Sequence, residues 1–406
     1  MSLKEAINKI FDIELPWKIT NLDISEETKI VRVDIEYDSR YEMYCSTCGS
    51  ACSGYDHRKR ELRHLDCCEY QTILAVNVPR VECPEHGVVQ MEVPWSEPKS
   101  RYTKAMETQV IDWLKEASIS AVARQLGLGW EAVAGIMQRA VERGKARQKA
   151  EVHTHIGVDE TAFSKGHDYV TIVSNQHGEV VHVGMDRRQA TLESFYGGLT
   201  ALQLGGIESV SMDMWKPYIN ATLNQVPDAE NKSAFDKFHV AKYLGDAVNK
   251  VRAKEHKELM SAGYDDLKGT RFDWLKNPAN MTHKQKISFK WLRESNLRTA
   301  RAWAIKELAM SLWHYRSRTW AAKAWSLWLG WAQRCRLEPM VNVAKMIKTH
   351  LWGILNASVL KVTNGPAESV NSRIRLVKIR SRGFRNKQRF ADAILFHLGG
   401  LDLYPA

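Results

Sequence analysis

Two hydrophobic periods take turns along this chain. Alternation comes first: Val31, Val33, Ile35 and Tyr37 share one strand face, as do Thr72, Leu74, Val76 and Val78. Each run predicts a strand buried on one side. After a linker from Pro94 to Ser100 the period lengthens to that of a helix, from about Thr103 to Ala117. Ile119, Val122, Ala123 and Leu126 then fall at i, i+3, i+4 and i+7, and Val133, Ile136, Met137 and Ala140 repeat the stripe. Gly127 supplies the break between them, so the pattern predicts a helix-turn-helix, with an ordinary helical hairpin as the plain alternative.

From His153 the period returns to two. Thr154 to Asp159, Tyr169 to Ser174 and Glu179 to Gly184 predict a three-stranded meander, its second turn formed by Asn175-Gln176-His177-Gly178. Thr191 caps a helix carrying Leu192, Phe195, Leu199 and Leu202, which Gly205-Gly206 stops. A fourth strand ends at Asp213, Trp215 to Leu223 reads as helix, and a fifth strand, Ser233 to Phe235, ends at Asp236. Three antiparallel strands followed by strands alternating with helices is the order of a ribonuclease-H-like fold. There strands one and four are neighbours, so Asp159 and Asp213 are expected side by side.

Residues 240 to 360 read as helical throughout and hold nine of the fourteen tryptophans. A loop of that length is excluded, so an all-helical insertion is expected. The tryptophan spacing is mixed, and most are expected in the core rather than stacked on DNA. The fold class is therefore multidomain α/β, and four domains are expected. Residues 1–95 form a zinc ribbon and 96–150 a helix-turn-helix. A ribonuclease-H-like core follows at 151–240 and 358–406, interrupted by the helical insertion at 241–357.

Composition sharpens this reading. The net charge of +11 over 406 residues suggests a polyanionic partner, although charge alone leaves open a basic protein without one. Met1-Ser2-Leu3-Lys4-Glu5-Ala6 carries no apolar signal core, and no run reaches the length of a membrane span. The expectation is an intracellular protein in a reducing compartment, where seven cysteines do not pair as disulfides. Cys45-Ser46-Thr47-Cys48-Gly49 and Cys83-Pro84-Glu85-His86-Gly87 form two knuckles, each with a glycine to turn under a metal. Three thiolates and one imidazole suit one structural Zn²⁺. Cys52, Cys67 and Cys68 are the rival ligands, or reduced cysteines of the core.

Three carboxylates carry the candidate chemistry: Asp159 and Asp213 at strand ends, and Glu368 within Asn364-Gly365-Pro366-Ala367-Glu368-Ser369-Val370-Asn371, read as the first turns of a helix. Oxygen ligands of this kind suit two Mg²⁺ ions, which favour in-line displacement at phosphorus. Glu160 is expected on the opposite strand face. Asp236 is the rival third carboxylate, and His239 either supports the site or packs in the core. From Ser369 to Ala391 there is no acid, while Arg373, Arg375, Lys378, Arg380, Arg382, Arg385, Lys387 and Arg389 follow one another. The run is expected to neutralise phosphates beside Glu368. In the second helix of the bihelical unit, Trp130, Glu131 and Gln138 are expected outward, with Arg139 and Arg143 near phosphate height.

Taken together, these motifs resemble the DDE transposases of bacterial insertion sequences, in particular the ISL-three group, whose zinc ribbon, helix-turn-helix and DDE domain come in this order. The likeness rests on Cys45-x-x-Cys48, Ile156-Gly157-Val158-Asp159-Glu160, Met212-Asp213-Met214-Trp215 and the segment around Glu368. It implies that Asp159, Asp213 and Glu368 are catalytic, and that an insertion precedes the glutamate. It also implies that Asp236-Lys237-Phe238-His239 matches a signature following the fifth strand. His86 departs from the usual fourth cysteine, which costs a zinc site little. The implied partners are double-stranded DNA, both terminal inverted repeats and target, and a second copy of the chain, without a membrane; the implied location is the bacterial cytoplasm, nucleoid-associated. Two alternatives stay open: a nuclease that cuts without joining, and a DNA-binding regulator with an inactive core.

Overall fold

The computed structural model describes residues 8–164, 166–362 and 365–406, with side chains in the last segment from Glu368 onward. Asn364, which opens the glutamate motif, lies outside the described residues. The chain divides into two compact units, Met1–Gln148 with Leu401–Ala406, and Lys149–Gly400. The last six residues, expected with the catalytic core, thus belong to the first unit. No helix among the described residues is long and apolar enough to cross a membrane.

In the first unit six strands form one sheet: β1 (Trp17–Ser25), β2 (Ile30–Tyr37), β3 (Met43–Tyr44), β4 (Ala51–Arg63), β5 (Gln71–Cys83) and β6 (Gly87–Gln90). Their order is β1-β2-β5-β4-β3, with β6 on β5, and β2 runs parallel to β5. The two expected alternating faces are the buried ones. Val33, Ile35, Thr72, Leu74, Val76 and Val78 are all at most 1% exposed and meet Trp17, Leu62 and Met91. Strand β4 had no legible pattern, because most of its residues face water on both sides and its pairing with β5 is a backbone affair.

Three helices follow: α1 (Lys104–Glu116), α2 (Ile119–Gln125) and α3 (Trp130–Arg147). Thr103 and Ser118 cap the first two, accepting hydrogen bonds from Met106 N and Ala121 N. Gly127 stands at φ +62° in the turn, a conformation that costs a glycine nothing. One carboxylate ties the unit together. Glu107 is fully buried and accepts from Arg139 Nε at 3.1 Å, Arg143 Nη2 at 2.9 Å and Ser100 Oγ at 2.9 Å. The tail closes over the same helices: Arg143 Nη1 donates to Leu403 O at 2.5 Å, Arg147 to Asp402 at 3.0 Å and Lys115 to Tyr404 Oη at 2.6 Å.

The second unit is built on a five-stranded sheet of order β11-β10-β7-β8-β9. These strands are β7 (His155–Ser164), β8 (Asp168–Ser174), β9 (Val180–Gly184), β10 (Ser209–Met212) and β11 (Ser233–Phe235). The meander β7-β8-β9 is antiparallel, while β10 is parallel to both β7 and β11. The expected neighbours are therefore neighbours. Strand β7 runs five residues past its expected end, so Asp159 lies mid-strand opposite Ile172. Pairing with β8 continues after the apolar alternation has stopped, which the period could not reveal.

Helices α4 (Gln189–Gly197), α5 (Ala201–Gly206), α6 (Lys216–Gln225) and α7 (Ala229–Lys232) link the strands. After β11 the described chain is helical, from α8 (Lys237–Ser261) through α9 (Arg271–Leu275), α10 (His283–Arg293), α11 (Arg298–Ser311), α12 (Arg318–Arg334) and α13 (Glu338–Thr349) to α14 (Leu351–Leu360). These helices share one continuous core with the sheet, in which Trp274, Trp325 and Trp328 are at most 1% exposed. Trp291, Trp320 and Trp331 instead face solvent. Asn356 staples α14 to the sheet edge, its Nδ2 donating to Glu230 O at 2.7 Å and Ser233 O at 2.8 Å. Finally α15 (Gly365–Arg380) packs on β7 and β8, and α16 (Lys387–Leu398) on β9.

The Glu107 network sets an energetic test. Glu107→Gln leaves Arg143, whose side chain is 9% exposed, short of its nearest counter-charge. The loss should be roughly 3 kcal/mol. By hydrogen-exchange mass spectrometry, α1 and α3 should exchange about a hundredfold faster, with β7 to β11 unchanged. Unchanged protection of α1 and α3 would contradict this role for Glu107.

Candidate active site and metal centre

The two knuckles meet. Cys45 N bonds to Ser50 O and Gly49 N to Cys45 O, both at 2.9 Å, folding the first knuckle around a glycine at φ +73°. The second turns back from β5 to β6 through Gly87 at φ +66°. The ligand atoms of Cys45, Cys48, Cys83 and His86 all lie within 4.8 Å of one another. Cys83 Sγ stands 3.6 Å from His86 Nδ1 and 3.7 Å from Cys48 Sγ. Backbone N–H groups of Cys48 and Thr47 pull the Cys45 thiol down to about 7, towards the thiolate that binds metal. Cys52 turns its sulfur to Ser50 O, and Cys67 and Cys68 are exposed, so none of the rival ligands joins the set. Three thiols and an imidazole at this spacing fit a tetrahedral zinc ion.

A second cluster forms where β10 lies beside β7. Ser211 pairs with Gly157 in parallel register, and two residues further each strand places its aspartate, Asp213 and Asp159. Both are half-buried. Desolvation, reinforced by the charge of Asp213, pushes the Asp159 carboxyl up to about 6; burial likewise raises Asp213. Their oxygens are otherwise occupied by local backbone: Glu160 N donates to Asp159 Oδ1 at 2.7 Å and Trp215 N to Asp213 Oδ1 at 3.0 Å. His239 offsets both charges and Arg187 offsets Asp213. A pair of acids held at this cost, with so little positive charge around it, fits a divalent cation.

Helix α15 reaches this pair. Asn371 Nδ2 donates to Asp159 Oδ2 at 2.7 Å, while its own Oδ1 is buried without a partner. Glu368 stands three residues earlier, hence on the same side of the helix, and is exposed. Among the described residues only the thiol cluster brings three or more ligand atoms mutually within 4.8 Å; Asp159, Asp213 and Glu368 do not close to that spacing. Asp236 ends β11 and caps α8, accepting from Phe238 N at 3.0 Å, with His239 Nε2 3.9 Å from its other oxygen.

The centre holds groups beyond the carboxylates singled out in the sequence. Burial raises the Glu160 carboxyl, Asp213 adds to that and Arg187 Nη1, 3.3 Å away, opposes it. Arg187 in turn lies over the rings of Tyr169 and Trp215, 4.5 and 4.9 Å from their centroids. No spacing in the sequence marks Arg187. Asn371, by contrast, sat inside the quoted glutamate motif.

The basic surroundings divide by what they touch. Arg373 Nη2 donates to Gly178 O at 2.6 Å, and Lys378 Nζ to Phe163 O at 2.7 Å and Ala162 O at 2.9 Å, fastening α15 to the sheet. Arg375, Arg380 and Arg382 are exposed, the last at φ +56°. In the first unit Trp130 is 37% exposed, and Gln138 is exposed with its amide on Glu142 at 2.8 Å. Arg139 remains one-third exposed while bound to Glu107. Arg143 is the correction: its guanidinium is 9% exposed and spent on Glu107, Glu97 and Leu403 O, so it does not stand at phosphate height.

The strained acidic pair has a pH signature in metal-free protein. The folded chain keeps the Asp159 proton up to about 6, whereas the ordinary aspartate value is 3.8. Between the two the fold binds more protons than the unfolded chain, so stability falls as pH rises through that window. With chelator present, Asp159→Asn should stabilise the second unit by on the order of 2 kcal/mol above this window and not below it. Thermal melts of parent and variant at about pH 7.5 and pH 4 check it; an equal difference at both contradicts it.

Comparison with known proteins agrees with this division. A transposase domain model of the ISL3 type matches residues 156–394. A helix-turn-helix domain of transposase family ISL3 matches 91–141, and a zinc-finger of transposase IS204/IS1001/IS1096/IS1165 matches 42–86. The transposase for insertion sequence element IS1557 of Mycobacterium tuberculosis is 28% identical over 384 residues, covering 88% of this chain and 86% of the relative. The transposase for IS1001 of Bordetella parapertussis is 27% identical over 361 residues, covering 86% and 87%. A half-buried acidic pair, a zinc-finger region and a helix-turn-helix thus sit on one chain, and that chain belongs to the ISL3 family of insertion-sequence transposases.

Proposed function

We propose that this chain binds the terminal inverted repeats of its insertion sequence and catalyses Mg²⁺-dependent strand cleavage and strand transfer. The observation that carries this is the parallel register of β10 and β7, which sets Asp213 beside Asp159, together with the Asn371–Asp159 bond that brings the first turn of α15 to them. Asp159, Asp213 and Glu368 are the catalytic carboxylates, on a ribonuclease-H-like core that the strand order β9-β8-β7-β10-β11 supports. Residues 241–357 are its helical insertion. Two Mg²⁺ ions, when bound, activate water or a 3′-hydroxyl and stabilise the leaving oxygen. Asn371 fixes one oxygen of Asp159 and leaves the carboxylate oriented. His239 and Arg187 temper the charge of the pair, with Asp236 positioning His239. Arg375, Arg380 and Arg382 on the open side of α15 and its following turn hold phosphates without reading sequence.

One structural Zn²⁺ on Cys45, Cys48, Cys83 and His86 holds the ribbon, and the helix-turn-helix reads the DNA ends through Trp130, Gln138 and the exposed part of Arg139. Two ends brought together favour a dimer on DNA, in the cytoplasm at the nucleoid.

The decisive experiment supplies the element's end DNA and Mg²⁺. Joined product supports a transposase, cut product alone a nuclease, and binding alone a regulator. Alanine at Asp159, Asp213 or Glu368 should lower cleavage by more than about a thousandfold while binding survives. An inactive Asp236→Ala beside an active Glu368→Ala would transfer the third role to Asp236. About one zinc per chain should copurify, and Cys83→Ser should lose it and unfold the ribbon while the second unit keeps its melt. A folded ribbon without metal contradicts the assignment.

A further inference from the structure

One acid-free stretch of the helical region lines a cavity. From Leu275 to Arg293 there is no aspartate or glutamate, but there are Lys276, Lys284, Lys286, Lys290 and Arg293, with His283 among them. Helix α10 presents all of these but Lys276 to solvent, together with two large apolar side chains one turn apart, Ile287 at 62% and Trp291 at 55% exposure. Along the same helix lies a cavity of about 420 Å³. His283, Lys286, Lys290 and Arg293 line it, no acidic residue does, and Trp303 forms part of its wall.

The chemistry of that wall is one-sided. Trp303 Nε1 is buried and donates to nothing, although its ring is fixed edge-on against Phe289 at 5.4 Å. Arg293 pairs with Glu294 at 3.6 Å with both side chains about half exposed, a pair worth little. The side chains lining the cavity therefore offer positive charge and no carboxylate. A phosphate oxygen suits such a set, and Ile287 and Trp291 beside it suit the apolar face of the adjoining deoxyribose.

We infer that the α10 cavity holds a backbone phosphate of duplex DNA, which makes this helix a DNA-contact surface additional to the helix-turn-helix and α15. The inference rests on the reading of DNA as substrate. The contact carries no sequence information: it neutralises charge wherever the duplex passes.

The test uses the full chain and random-sequence duplex DNA, with affinity read by fluorescence anisotropy over a series of salt concentrations. The triple variant Lys286→Gln, Lys290→Gln, Arg293→Gln should bind about tenfold more weakly at moderate salt. Its plot of log affinity against log salt should be shallower by about 2 to 3. An unchanged slope overturns the proposal. A second reading needs no variant: duplex DNA should shield Lys286 and Lys290 from acetylation, measured by mass spectrometry. Inorganic phosphate at equal phosphate concentration should shield them far less. Shielding by phosphate alone marks an anion site unrelated to DNA and overturns the inference, as does the absence of any shielding. The outcomes separate from those of the functional reading. A parent chain that cuts its ends but is indifferent at α10 sinks this inference only; a parent that binds no duplex sinks both.

Discussion

Everything at the acidic centre depends on a parallel pairing. Had β10 run antiparallel to β7, or slipped by one residue, Asp213 would project from the other face and Asp159 would lose its companion. Register here is fixed by burial: all four residues of β10 are covered, and Ile156 and Val158 anchor β7 in the same core. The apolar contacts hold two acids together against their mutual repulsion, with His239 and Arg187 offsetting part of their charge. That is the physical condition under which a carboxylate pair gains from a metal instead of merely tolerating solvent.

The first unit answers the same difficulty in two other ways. Its sheet ends in sulfur and imidazole groups gathered within 4.8 Å, a geometry that makes sense around an ion. Its helices bury a carboxylate outright and surround it with two guanidinium groups and a hydroxyl. Glu107 is thus a carboxylate paired directly with two guanidinium groups, Asp159 one bonded to a backbone N–H and the Asn371 amide, although both are acids withdrawn from water.

Legibility in the sequence followed the physics of each element. Strands with one buried face announced themselves by alternation, as in β2 and β5, and the bihelical unit by its two apolar stripes with Gly127 between them. The two aspartates were legible because each ends a short apolar run, and the cysteine–histidine set because knuckle spacing is chemical rather than statistical. What stayed hidden depends on partners remote in sequence. Strand β4 is polar on both sides, β7 outlasts its own pattern, and Glu160 lies in the field of Asp213. Arg143 was misread for the same reason. A cation on a helix near a DNA-reading unit looks like a phosphate contact until a buried glutamate thirty-six residues earlier is seen to claim it.

The short segment after Gly400 has a temporal meaning. Residues 401–406 belong to the unit that begins the chain, and Leu401 lies so close over Gly144 that a methyl group there would approach its Cβ to 2.7 Å. On the ribosome, the helix-turn-helix emerges before the catalytic unit, but the strap that covers α3 arrives only after that unit has been made. A chain interrupted anywhere in between leaves the carbonyl of Leu403 missing from Arg143 and the groove at Gly144 bare. The first unit is thereby completed only after the second has been made.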